Sequence, residues 1–245
     1  RGSRDLAKSR EASRRGSKVI ELRKTSNVLH SEDKVEVVFL QAADVGDHEA
    51  VEQYVKAGSN VNVCDDRNET VLHKLCRIPP KEGSRWRELL AGILTAGMEL
   101  DYCDKRGKTA LFTAAEYGHH DICNWLITQG ADINWISNDQ QTLLHQALVS
   151  NKPSVVRLLL SDQHAHKLRS VDAVDVQGRT ALHVAAFKAE ADIVRLLLAA
   201  GADPTVADDN KHTPESLAKR TGRDEVAQIL AEAAANWKGP APAQA

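Results

Sequence analysis

A four-residue pattern, Thr-x-Leu-His or a near variant of it, returns along this chain and constrains its fold more than any other feature. It stands at Thr70-Val-Leu-His73, Thr109-Ala-Leu-Phe112, Thr142-Leu-Leu-His145 and Thr180-Ala-Leu-His183, with a last variant at Thr213-Pro-Glu-Ser216. The threonines are spaced by 39, 33, 38 and 33 residues, and stepping back 33 residues from Thr70 reaches Val37, which opens the apolar run Val37-Val-Phe-Leu40. A 33-residue period with two insertions explains every step. A period of this length marks an array of small units, each unable to bury its apolar face alone and stabilised by stacking on its neighbours.

Independent landmarks keep the same register. Nine residues past the pattern starts stand Gly46, Gly118, Asn151, Ala189 and Gly222, small or left-handed-tolerant residues suited to a helix end. Gly58, Gly130 and Gly201 fall 21 residues past Val37, Thr109 and Thr180, and Gly97 joins them once six extra residues of its repeat are removed. After each threonine comes an apolar segment such as Leu111-Phe-Thr-Ala-Ala115. A break such as Gly118-His119 follows, and then a second segment such as Ile122-Cys-Asn-Trp-Leu-Ile127 with apolar residues at helical spacing. The break is short enough to require an antiparallel helix pair. The threonine hydroxyl suits the N-cap, worth about 1 kcal/mol, and Pro214 suits the first helical position, where no N–H is needed.

Thr-x-Leu-His-x-Ala, Gly-His at the helix break, and Gly-Ala-Asp-Ile-Asn (130–134) or Gly-Ala-Asp-Pro (201–204) together resemble the ankyrin-repeat family over roughly residues 35–232. The resemblance implies an all-α fold of stacked, L-shaped helix-turn-helix units with β-turn fingers, the fingers and first helices lining a concave binding face. About six repeats are expected over residues 34–236, starting near 34, 66, 105, 138, 176 and 209, with a basic head at 1–33 and a flexible tail at 237–245. The first repeat lacks the Thr-x-Leu-His pattern and the last has Ser216 in the histidine slot, as expected of end units. Phe112 replaces histidine in the third repeat, so an inter-repeat hydrogen bond is expected to be missing there. The two insertions, Ile78–Trp86 and Ser161–Ser170, are expected as loops.

Composition supports helices over a sheet sandwich: apolar residues make up 42% of the chain but aromatics only 4%. The formal net charge of −2 gives no overall attraction to nucleic acid or membrane. No run approaches the roughly 18 apolar residues of a membrane span, so neither nucleic acid nor membrane insertion is expected. Four cysteines (Cys64, Cys76, Cys103, Cys123) form no CxxC pair, and a bridge between Cys64 and Cys103, in equivalent slots of successive repeats, is not expected. An intracellular protein, cytoplasmic or nuclear, is the expectation, monomeric as an isolated domain. The single methionine is Met98 and the first residue is Arg1, from which a fragment or a processed chain is expected.

Catalytic and metal chemistry have little to stand on. His73, His145 and His183 share one repeat slot and so are spaced along the array instead of converging on an ion. His119-His120-Asp121 and His164-Ala-His166 could offer ligands but lack further donors at metal-site spacing. No phosphate loop, nucleophile elbow or catalytic Cys/His arrangement is present. Neither an enzyme nor a cofactor is expected. The expected function is a protein-interaction scaffold or adaptor, with a regulatory segment of a longer enzyme, channel or transcription regulator as the alternative.

Recognition is expected at finger positions and at the exposed ends of first helices, and interface energy concentrates in aromatic and arginine anchors. Arg67, Lys105, Arg106, Tyr117, Arg179 and Phe187 are therefore the candidate partner-binding residues, with Lys108, Glu116 and Lys188 in neighbouring slots. The head is basic, nine Lys and Arg against three Asp and Glu in residues 1–30, and is expected to be disordered or only nascently helical. Arg14-Arg-Gly-Ser17 and Arg23-Lys-Thr-Ser26 resemble sites of basophilic kinases, making Ser17 and Ser26 candidate phosphorylation sites.

Overall fold

The repeat leucines and threonines act together at each helix start. Thr70, Thr142, Thr180 and Thr213 all take extended backbone at the N-cap, and in the four repeats with a leucine two residues past the pattern threonine that leucine drops into the core. Leu72, Leu111, Leu144 and Leu182 are all buried, each contributing about 1.5–3 kcal/mol of apolar burial. Thr142 Oγ1 accepts the backbone N–H of His145 at 3.4 Å, and Thr213 Oγ1 that of Ser216 at 3.3 Å, the geometry of a side-chain cap.

The computed structural model describes residues 31–78 and 85–239, with side chains from residue 35. Twelve α-helices and no sheet occur among the described residues, an all-α fold. The chain divides into two compact units, with the break between Ala110 and Leu111.

In the first unit α1 (Ser31–Val45) and α2 (His48–Lys56) form one helix pair, followed by α3 (Val71–Arg77) and α4 (Trp86–Thr95). First helix stacks on first helix (α1 on α3) and second on second (α2 on α4), and each of the four helices buries a large apolar side chain: Phe39, Val51, Leu72 and Ile93.

The second unit begins within α5 (Ala110–Tyr117) and continues through α6 (His120–Thr128), α7 (Leu143–Val149), α8 (Pro153–Leu159), α9 (Ala181–Lys188), α10 (Ala191–Ala199), α11 (Pro214–Arg220) and α12 (Asp224–Asn236). The same stacking rule holds: α7 meets α9 and α9 meets α11, while α6 meets α8, α8 meets α10 and α10 meets α12.

The breaks within helix pairs fall where the sequence placed them, and Gly46, Gly118, Asn151 and Gly222 turn the chain with positive φ. Ala189 also ends its helix, but without a left-handed turn. Its backbone is extended, φ −85° and ψ 160°, and its carbonyl is held by the Arg223 guanidinium. A side chain from the next repeat thus replaces the left-handed turn that alanine disfavours.

Of the insertions, residues 79–84 of the first lie outside the described residues, as do residues 1–30 with Ser17 and Ser26, and the end of the tail from 240. The second insertion is an ordered loop with a 3₁₀ turn at Ala165–Lys167. His164 is buried in it and donates from Nε2 to Asn124 Oδ1 on α6 at 2.9 Å. Asn134 clamps its far end, donating to the Lys167 carbonyl at 2.8 Å and accepting the Arg169 N–H at 2.8 Å. Asn62 makes the same pair of bonds to Gly97 and Glu99 in the first unit, so the insertion leaves the repeat contact intact.

Candidate functional site

Each finger is built on one acceptor side chain, a recurrence in the sequence that the Thr-centred reading passed over. Five residues before the threonines stand Asp65, Asp104, Ser137, Asp175 and Asp208. Asp65 Oδ1 accepts the N–H groups of Arg67 and Glu69 at 2.8 and 2.9 Å, and Asp104 Oδ1 those of Arg106 and Lys108, both at 2.8 Å. Asp175 Oδ1 takes the N–H groups of Gln177 and Arg179 at 2.9 and 3.0 Å, and Asp208 Oδ1 those of Asn210 and His212 at 2.9 and 2.8 Å. Ser137 does the same job more weakly, through one bond to Gln141 N–H at 3.2 Å. The residue three places on is left-handed in every finger: Asn68, Gly107, Gln140, Gly178 and Lys211.

Successive fingers bond to each other. Lys105 N–H donates to the Arg67 carbonyl at 3.0 Å in the first unit, and in the second Val176 N–H donates to Asp139 and Asp209 N–H to Gln177, both at 3.2 Å. Behind the fingers, the pattern histidines tie one repeat to the next. Backbone N–H and hydroxyl of Thr70 lie 3.2 and 2.9 Å from His73 Nδ1, so Nδ1 is the acceptor and Nε2 carries the proton, donated to the Lys108 carbonyl at 3.1 Å. His145 bridges Thr142 to the Arg179 carbonyl, and His183 bridges Thr180 to that of His212, at 2.9 and 3.0 Å. Burial pushes the pKa of all three imidazoles down, which favours this neutral form.

Phe112 breaks the series as expected. The Thr109 hydroxyl, three residues earlier, is buried and has no hydrogen-bond partner.

The six candidate contact residues fall three to each unit. Arg67, Lys105 and Arg106 lie exposed at the tips of two bonded fingers of the first unit. Lys108, expected beside them, is instead 5% exposed. It sits at the finger base, where its carbonyl accepts from His73 and from Asp104 N–H, and that anchoring carries its side chain inward. Next to these fingers is a charged cluster on α3. Buried Lys74 donates to Asp44 and Asp65 at 2.8 Å each, and Arg77 grips Glu69 at 2.7 and 2.8 Å. Burial alone would depress the Lys74 ammonium, but its bonds to Asp44 and Asp65 outweigh that and hold it above its ordinary value.

In the second unit Tyr117 is 44% and Phe187 53% exposed at the ends of α5 and α9, and the Tyr117 ring stacks on His119 with centroids 6.2 Å apart. Arg179 is placed differently. Its Nε and Nη2 both donate to Asp175 Oδ2, at 2.9 and 2.7 Å, so its guanidinium is committed to a buried carboxylate. Burial would raise the Asp175 pKa, but the Arg179 bonds and two backbone N–H groups carry it below its usual value. Val176, a finger residue expected at the recognition surface, is exposed, and so are two apolar finger residues not singled out from the sequence, Ile136 and Val174, in equivalent slots.

No group of three or more His, Cys, Asp or Glu residues able to hold a metal ion occurs among the described residues. The paired histidines go to separate partners: His120 to Asp121, His164 to Asn124 and His166 to the Asp162 carbonyl. All four cysteines are free, and burial pushes the Cys123 thiol up to about 12. No helix among the described residues is long and apolar enough to cross a membrane.

Helix pairs in a 33-residue register, histidine bridges between repeats and bonded fingers define a repeat protein whose fold presents side chains along an edge. The chain belongs to the ankyrin-repeat family: the family described as ankyrin repeats (3 copies) matches residues 39–134, 82–172 and 165–239. Its members mediate protein–protein interaction.

Among curated proteins the chain is similar to the nuclear factor NF-kappa-B p105 subunit of Gallus gallus, 31% identical over 162 residues, 64% of this chain and 16% of that protein. It is also similar to the B-cell lymphoma 3 protein homolog of Mus musculus, 28% identical over 190 residues, 77% of this chain and 41% of the relative. The chain thus spans less than half the length of each of these two relatives. The putative ankyrin repeat protein YahD of Escherichia coli is 32% identical, with 58% of this chain and 88% of that protein covered. Among solved structures, the ankyrin repeat domain of Bcl-3 superimposes with a TM-score of 0.65 at 23% identity, over 80% of this chain and 85% of that one. The ankyrin repeat protein EF0377 gives 0.66 at 23% identity, over 79% and 96%. These two likenesses speak to fold.

Proposed function

We propose that this chain is a non-catalytic scaffold or adaptor that binds a protein partner through its fingers and the inner ends of its first helices. The observation that carries this reading is the exposure of Tyr117 and Phe187, two aromatic side chains at the ends of α5 and α9. Large apolar groups held open on a rigid frame supply contact area at small entropic cost, and aromatic residues dominate interface energetics. Val176, 54% exposed on a finger, extends the apolar character of that surface. We place the protein in an intracellular setting, cytoplasmic or nuclear, a reading supported by its free thiols.

The test is affinity capture with the full chain, comparing wild type with Tyr117→Ala/Phe187→Ala and with Lys105→Ala/Arg106→Ala. Arg179 is left unchanged because removing it would strand the buried Asp175 carboxylate and confuse loss of contact with loss of fold. A protein retained by wild type and lost with the aromatic pair supports the proposal. Equal capture by the wild type and both variants overturns this choice of surface.

A second reading is a regulatory repeat segment within a longer protein. It is favoured by the share of the relatives' length that the chain spans, 16% of the chicken p105 subunit and 10% of a Caenorhabditis elegans channel-subunit homolog. YahD, 88% covered, supports the first reading instead.

A further inference from the structure

One slot of the repeat behaves differently at the start of the chain. The residue one place past each pattern start is Val38, Val71, Ala110, Leu143, Ala181 and Pro214 in turn. From the second repeat onward it is buried, Val71 being 0% and Leu143 1% exposed, whereas Val38 is 46% exposed. The fold therefore covers this position wherever a layer precedes it. Val35, one helical turn earlier and on the same face of α1, is likewise exposed. With Glu36 and Phe39 it walls a pocket of about 390 Å³ whose other side is Gly58, Ser59 and Asn60. The opposite terminus is finished in another way. The exposed positions of α12 include Asp224, Glu225, Gln228 and Glu232, and no large apolar side chain beyond Phe187 is exposed among the described residues. A terminal repeat needs a polar outer face to stay soluble; α12 has one, whereas α1 exposes Val35, Val37 and Val38 among its described side chains.

We propose that residues 17–30 of this same chain cover the open face of α1, seating apolar groups from among Val19, Ile20, Leu22, Val28 and Leu29 over Val35 and Val38. Three observations converge on this occupant. Charge is complementary: residues 17–30 hold Lys18, Arg23 and Lys24 against Glu21, net +2, within a head of net +6 over residues 1–30, while residues 31–60 hold seven Asp and Glu against two Lys, net −5. Connectivity is favourable, because residue 30 is joined directly to Ser31, the first residue of α1. Such a tether gives an effective concentration of roughly millimolar without a new encounter. Reach is ample, since fourteen residues extend to about 50 Å and the fifteen residues of α1 span only about 22 Å. A second copy is a poorer occupant, because a two-fold contact sets the same patch against itself and would oppose two acidic faces.

The test is methyl NMR on the full chain with Ile, Leu and Val methyls labelled. Cross-relaxation between the methyls of Val35 or Val38 and those of residues 19–29 is expected, unchanged on tenfold dilution. In Ile20→Asp/Leu22→Asp these contacts are expected to vanish and the α1 amides to exchange at least about tenfold faster, with amides of residues 111–239 unchanged as the control for folding. Absence of the contacts in wild type overturns the proposal. Contacts that appear only between differently labelled copies overturn it in favour of a dimer.

Discussion

His145 joins two repeats through opposite edges of one ring: Nδ1 accepts from Thr142, and Nε2 donates to the carbonyl oxygen of Arg179, 34 residues further on, at 2.9 Å. The ring is buried, so both partners lose water and depend on it. Phenylalanine keeps the approximate shape and removes both bonds. His145→Phe is therefore expected to cost about 2–4 kcal/mol by stranding a buried hydroxyl and a buried carbonyl. A lower urea midpoint at unchanged m-value checks it.

Thr109 gives the opposite sign. Its buried hydroxyl has no partner, so Thr109→Val removes an uncompensated polar group and is expected to be neutral or stabilising by up to about 1 kcal/mol. Thr142→Val, which unpairs His145, is expected to cost about 1–3 kcal/mol. Equal losses in the two variants, measured by denaturant titration, would contradict the assignment.

The buried histidines set a pH dependence. Burial holds the folded pKa of His73, His145, His183 and His164 below the ordinary value. The unfolded chain therefore binds more protons than the folded one once pH drops below about 6.5. The stability these residues contribute is present above that pH and is lost progressively below it. Urea midpoints measured from pH 7.5 to pH 5 should fall on the acid side, and the fall should be smaller in His145→Phe.

Gly178 and Gly58 separate two roles of glycine. Both have positive φ, but a Cβ on Gly178 would stand 2.6 Å from Asp209 Oδ1 and 2.9 Å from its backbone nitrogen, whereas one on Gly58 would meet nothing within 4 Å. Gly58→Ala should cost about 1–2 kcal/mol for left-handed backbone alone. Gly178→Ala should cost clearly more, because the next finger has to move. Thermal denaturation of the two variants decides the order.

Leu182→Ala, at a fully buried pattern leucine, is expected to cost about 2–5 kcal/mol. Lys105→Ala, at an exposed finger tip, should cost under about 0.5 kcal/mol. Similar midpoints for the two would break the repeat register.

Much of this architecture was legible along the chain. The Thr-x-Leu-His spacing located the helix starts and the core leucines, and Phe112 marked the slot that has no histidine. Ala189 ends its helix as the sequence placed it, but how that end is closed was not legible, because Arg223 comes from the next repeat. The acceptors Asp65, Asp104, Asp175 and Asp208 were visible as a recurrence but lay outside the Thr-centred window. Among the candidate contact residues, the sequence could rank side chains by type but not by commitment. Arg179 and Arg106 are alike in residue type and both belong to fingers, yet Arg179, in the slot next to its threonine, is bound to a buried carboxylate and Arg106 lies exposed at its finger tip.

By itself, then, the sequence determined the repeat, its helix pairs and its family, because these follow from periodicity and from caps that act within a few residues. The tertiary structure alone decided which charged side chains are buried, as with Lys74 and Lys108, and which further apolar ones stay open, as with Ile136, Val174 and Val38. The physical reason is that burial and ion pairing depend on what arrives from another repeat, and an identical slot is filled or left bare according to whether a neighbour covers it.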